Sequence, residues 1–70
     1  MQFTVNKNIG RLLRETGQSQ ASVSLQAGIS RAVLSNIVRC KRKVYADEVV
    51  PIATAMGVSV ESLFAESSSA

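Results

Sequence analysis

The sequence predicts an all-α domain of five short, compactly packed helices. Three observations carry that expectation. Apolar residues recur at spacings of three and four, and no segment sustains the alternation of a half-buried strand. Gly17, Gly28 and Gly57 fall where apolar stripes end. Ser19, Ser30 and Ser59 stand just before the next stripes begin, where a hydroxyl can take an orphan backbone N–H.

The first helix is expected over about residues 6–16, with Ile9, Leu12 and Leu13 inward and Lys7, Arg11 and Arg14 outward. Ahead of it, residues 1–5 read either as an unstructured lead-in or as a segment that packs Phe3 and Val5 on the core. The second helix follows Ser19, over residues 20–27, and the third follows Ser30, over about 31–39. Only Gly28, Ile29 and Ser30 separate them, so the two must cross sharply. A fourth helix is expected over about residues 46–56. Pro51 lies inside it, which predicts a late start or a loose, kinked first turn. The fifth, about 60–65, would close the core with Val60, Leu63 and Phe64.

Seventy residues make one domain, expected over 1–65 with a flexible tail over 66–70. The core must be aliphatic, since the aromatic residues are Phe3, Tyr45 and Phe64. A single cysteine and no histidine exclude an internal disulfide and a Cys/His metal set, and no cofactor is expected. Nor is an enzyme, without a histidine pair or a glycine-rich phosphate loop. No apolar run approaches the roughly 20 residues of a membrane span, and the opening residues lack the blocks of a signal peptide. The expectation is a cytoplasmic protein.

The net charge of +3 is unevenly placed. Arg31, Arg39, Lys41, Arg42 and Lys43 form a block without an acid, while Asp47, Glu48, Glu61 and Glu66 all follow it. Such a run can be a solvated face or the footprint of a polyanion. The residues before it decide between the two. From Gln20, the apolar positions are Val23, Ala27, Ile29, Leu34 and Ile37, with Gly28 at the turn and the small Ser24 where two helices would approach. This is one helical stripe, a turn, and a second stripe in a new phase.

Four segments resemble the Cro and lambda-repressor type of helix-turn-helix family, also called the xenobiotic response element family. They are Ser19-Gln20, Gly28-Ile29-Ser30-Arg31, Leu34-Ser35-Asn36-Ile37, and the stretch from Ala55 to Phe64. The resemblance covers about residues 9–64. It implies a lambda-repressor-like domain whose second and third helices form the helix-turn-helix, and a partner that is double-stranded DNA. The implied function is sequence-specific transcriptional regulation, with the character of a phage or bacterial repressor binding a palindromic operator as a homodimer. An antitoxin-like or restriction-controller autoregulator, or a protein-interaction module on the same fold, stands as the alternative.

The resemblance also implies roles. With Leu34 and Ile37 inward, Ser30, Arg31, Ala32, Ser35 and Asn36 would face base edges; Arg31 suits guanine and Asn36 adenine. Gln20, Arg39, Lys41, Arg42 and Lys43 would hold phosphates. Tyr45, Val58 and Val60 are candidates for the dimer contact, or for ordinary core packing. The chain departs from the family at Cys40, where glycine usually ends the third helix, at Val38, where an acid is frequent, and at Val44 and Tyr45, in place of proline and a capping serine. Cys40 reads as a redox-sensing thiol or, more simply, as a small inert one. Leu25 would point outward from the second helix.

Overall fold

The computed structural model describes residues 3–65; the tail expected over 66–70 lies outside the described residues, as do Met1 and Gln2. Five helices follow in order: α1 (Thr4–Thr16), α2 (Gln20–Ala27), α3 (Arg31–Val38), α4 (Ala46–Met56) and α5 (Val60–Phe64). There is no strand among the described residues.

Serine hydroxyls start three of them. Ser19, Ser30 and Ser59 accept from the N–H groups of Ser22, Val33 and Ser62. Each such cap is worth about 1 kcal/mol over alanine. α1, α2 and α4 stop at glycines in the left-handed conformation, Gly17, Gly28 and Gly57. At Gly28 the turn is closed by two reverse bonds, Gly28 N–H to Leu25 C=O and Ile29 N–H to Ser24 C=O. That pairing satisfies carbonyls the helix leaves open and aims the chain sharply into α3. Ser24 is buried where α2 is expected to approach α3, and its hydroxyl turns back to the Ala21 carbonyl.

The core is aliphatic throughout: Ile9 and Leu13 of α1, Val23 of α2, Leu34 and Ile37 of α3, four residues of α4 and Leu63 of α5. Burying each large side chain contributes about 1.5–3 kcal/mol. α4 supplies Val49, Ile52, Ala53 and Met56 and packs along α2, so the helix-turn-helix rests on a rigid floor. No helix among the described residues is long and apolar enough to cross a membrane.

The structure differs from expectation in four places. α1 begins at Thr4 rather than near residue 6, which brings Val5 against the core. α4 runs unbroken from Ala46 through Pro51, so the proline neither delays its start nor ends it. The ring is solvent-exposed, and only the hydrogen bond it cannot donate is lost. α3 ends at Val38 with Arg39 as its cap. Phe64 is 54% exposed and does not close the core, because in the short α5 Leu63 already occupies the inward line.

Two buried asparagines on α1 hold the assembly together. Asn6, 1% exposed, donates both amide hydrogens to backbone carbonyls, Ile37 at 2.9 Å and Arg42 at 2.7 Å. Asn8, 3% exposed, does the same for Leu63 and Ala65, both at 2.8 Å. Two residues apart on a helix, they point about 200° apart, so one side of α1 grips α3 and the other grips α5. Gln18 adds a third tie, donating to the Met56 carbonyl at the end of α4.

Replacing Asn6 by alanine strips a partner from two carbonyls, one of them buried. Urea denaturation of Asn6→Ala is expected to show a loss of about 1–3 kcal/mol. A loss below about 0.5 kcal/mol, the range of an ordinary surface change, would remove the amide from this role.

Candidate nucleic-acid interface

The exposed side of α3 follows directly from what α3 buries. Leu34 and Ile37 are fully buried and Val33 and Val38 half-buried, so Arg31, Ala32, Ser35, Asn36 and Arg39 are left on the outward arc. Ser35 is half-buried; the other four are exposed. Ser30 stands exposed at the start of this arc, with its hydroxyl engaged in capping. The surface is polar and carries Arg31 at the N-terminal end and Arg39 at the other. Gln20, half-buried, opens α2. The first backbone N–H groups there lack intrahelical partners and present partial positive charge.

Beyond α3 the basic loop has a defined shape. Arg39 still bonds Ser35 in the helical manner, and then Cys40 N–H returns to Ile37 C=O and Lys41 N–H to Asn36 C=O. This is the same closure that Gly28 makes after α2, with Cys40 at the left-handed position, φ 60°. A side chain there costs about 1–2 kcal/mol. The surrounding bonds hold it: the Ile37 carbonyl accepts from both Cys40 and Asn6, and Asn6 fixes Arg42 two residues on. The helix therefore ends where a glycine would have ended it. Cys40 itself is a free, half-buried thiol.

The four cations that follow the outward arc, expected to hold phosphates, divide into two kinds. Arg39, Lys41 and Lys43 are exposed. Arg42 is committed within the protein: its guanidinium grips the Glu48 carboxylate at 2.8 and 2.9 Å and lies 4.8 Å from the centre of the Tyr45 ring. Arg42, expected among the phosphate ligands, thus already has its fork on Glu48. Glu48 also accepts the Tyr45 N–H at 3.0 Å, which starts α4 without a side-chain cap from Tyr45. The sequence reading missed this pair, although a basic residue six positions before a first-turn glutamate was a visible signal.

Of the dimer candidates, Tyr45 is exposed, while Val58 and Val60 are half-buried and lean on the core. Phe64, one helical turn after Val60 on the same side of α5, adds an exposed ring that the sequence reading had assigned to the core. Leu25 is 81% exposed, as expected of the outward side of α2, and Val38 packs against the core where an acid was expected by resemblance.

A short helix, a glycine turn, and a second helix presenting a polar arc beside a cationic loop define a helix-turn-helix DNA-binding domain. Comparison with known proteins places it further. The family model of the Cro/C1-type HTH DNA-binding domain matches residues 8–65. No curated protein matches the sequence. Among solved structures, the fold is similar to that of the restriction-modification controller protein C.AhdI from Aeromonas hydrophila. The TM-score is 0.80 at 23% identity, over 87% of this chain and 92% of that one. The chain belongs to the Cro/C1-type helix-turn-helix family of DNA-binding transcriptional regulators.

The Arg42 guanidinium, hydrogen-bonded to Glu48, holds that carboxyl below the usual carboxylate range, although burial pushes the other way. A lowered folded-state value means stability that is present above the unfolded value, about pH 4.3, and lost as pH falls through the folded one. Wild type should therefore exceed Glu48→Gln in stability near neutrality, with the gap closing below about pH 4.3. Denaturation series at several pH values would check this; a gap that persists in strong acid would show that the carboxylate charge is irrelevant.

Proposed function

We propose that this protein is a sequence-specific transcriptional regulator, without catalytic activity, that binds a palindromic operator as a homodimer and acts as a repressor in a bacterial or phage-infected cytoplasm. One observation supports it above the others: an uncharged, hydrogen-bonding arc on α3 lies between Arg31 and an acid-free basic loop. A protein-interaction module on this fold has no need of that charge arrangement.

Affinity comes chiefly from phosphates, because each neutralised phosphate releases counterions. Lys41, Lys43 and Arg39 hold the backbone at the C-terminal end of α3. Gln20, which shares a depression with Val38, and the first N–H groups of α2 hold a further phosphate. So held, α3 lies in the major groove. Arg31 there donates two bonds to guanine and Asn36 pairs in two-point fashion with adenine, while Ser30, Ala32 and Ser35 contact neighbouring edges. Arg42, bound to Glu48, holds the loop that carries the lysines. Tyr45, Val58 and Val60, joined by Phe64, form the contact between copies, which sets two α3 helices one DNA turn apart.

The likeness to a restriction-modification controller protein supports a second reading of the biological role, autoregulation of such a system through the same DNA surface.

Selection from random duplex DNA, followed by titration over a range of salt, tests the proposal. Arg31→Ala should relax preference at one base pair, by about 1–3 kcal/mol of discrimination. Lys41→Ala should weaken all sequences alike and reduce the salt slope by about 1. Wild type that shows no salt-dependent duplex binding would sink the proposal. Sedimentation equilibrium with the operator site present should give two chains per site, and one chain per site at saturation would remove the dimer.

A further inference from the structure

Glu48 is an acid that pairs with a cation of the basic loop, and its charge opposes any phosphate brought to that loop. Its surroundings show what offsets the repulsion. Residues 41–45 have no helix or strand of their own, so their shape rests on contacts with other groups. Lys41 N–H bonds Asn36 C=O, and Asn6 donates to the Arg42 carbonyl. The Arg42 guanidinium turns back to the Lys43 carbonyl at 3.1 Å and sets its fork on Glu48. Val44 leans on the core, and Glu48 accepts the Tyr45 N–H.

Each residue from Lys41 to Tyr45 is therefore tied, and Glu48 supports two of the ties. It holds the guanidinium that reaches Lys43, and it holds Tyr45 directly. The side chains of Glu48 and Arg42 are 16% and 28% exposed, so salt screens this pair less than it screens a fully exposed one. Lys41 and Lys43, on either side of Arg42 in sequence, remain exposed.

We propose that Glu48 is a positioning residue for DNA binding, an acid whose presence raises affinity for duplex DNA. Through Arg42 and Tyr45 it keeps the loop ordered in the free protein, so that Lys41 and Lys43 meet the backbone without first losing conformational freedom. This rests on the DNA-binding reading and deepens it at the same loop. Removing the charge separates two mechanisms, because they predict opposite signs. By field alone, Glu48→Gln would bind more tightly and with a steeper salt slope, more so if the released Arg42 took a phosphate. By positioning, it binds more weakly. Glutamine in that place still accepts the Tyr45 N–H, so the start of α4 is kept and the grip on Arg42 is what is lost.

The test titrates the selected operator with wild type, Glu48→Gln, Arg42→Lys, the double variant and Lys41→Gln. Arg42→Lys keeps the charge and loses the two-point fork. Glu48→Gln and Arg42→Lys should each weaken binding about tenfold, on the order of the cost of ordering one backbone residue. Neither should steepen the salt slope or change base preference. The double variant should bind no more weakly than either single one, since both remove the same pair. Backbone order parameters of the free protein should fall at residues 42–44 in Glu48→Gln and hold along α3. Unfolding midpoints establish that every variant is folded at the binding temperature. Glu48→Gln that binds as wild type or more tightly, while Lys41→Gln weakens binding as expected, overturns this proposal alone. Additive losses in the double variant, or weaker binding with loop order unchanged, also overturn it. If Lys41→Gln leaves affinity and salt slope unaltered, the phosphate role of the loop fails, and the role of Glu48 with it.

Discussion

The carboxamide of Asn6 is the joint on which the end of α3 and the basic loop depend. It reaches from α1 to the carbonyls of Ile37 and Arg42, and so fixes the last turn of α3 and the loop after it with one planar group. From Arg42 the constraint passes to Glu48, and from Glu48 to the N–H of Tyr45 at the start of α4. Helix, basic loop and following helix are thereby held in one arrangement. For a surface proposed to meet base edges and phosphates together, relative placement matters as much as the presence of charge.

That joint also makes the departure at Cys40 tolerable. A residue with a Cβ in the left-handed region is a local cost, and three of the four comparable helix ends avoid it with glycine. At the end of α3, hydrogen bonds from both sides over-determine the backbone, so the strained conformation persists. The electrostatics follow the same division of labour. Arg42 spends its charge on Glu48 to hold the loop, while Lys41 and Lys43 are exposed. Of the five cations in the block, Arg42 is the one held by an ion pair to Glu48.

Much of the fold was legible because its determinants are local. A serine that caps, a glycine that reverses the chain and aliphatic residues at helical spacing act on neighbours within a turn. The reading of α3 into an inward line at Leu34 and Ile37 and an outward arc at Arg31 and Asn36 rested on that spacing alone. What escaped was non-local. Asn6 and Asn8 are ordinary polar residues in sequence, and their partners are backbone carbonyls whose identity has no bearing on the bond. Phe64 misled because its apolarity says nothing of which side of a five-residue helix it occupies. Pro51 suggested a break, but the packing of Val49, Ile52, Ala53 and Met56 on α2 outweighs one missing hydrogen bond. Arg42 and Lys41 look alike in a charge count; only the position of Glu48 separates them.

The two asparagine ties bear on how the chain reaches this form. Asn6 bonds to residues 31 and 36 positions later, and Asn8 to residues 55 and 57 positions later. Helices this short are marginal in isolation. Local contacts within the helix-turn-helix can form early, but α1 acquires its partners only when the distant end of the domain arrives. The chain is closed across nearly its whole described length by two amide groups. Loss of α5 would therefore be felt first at α1, and the domain should assemble and come apart as a single unit rather than helix by helix.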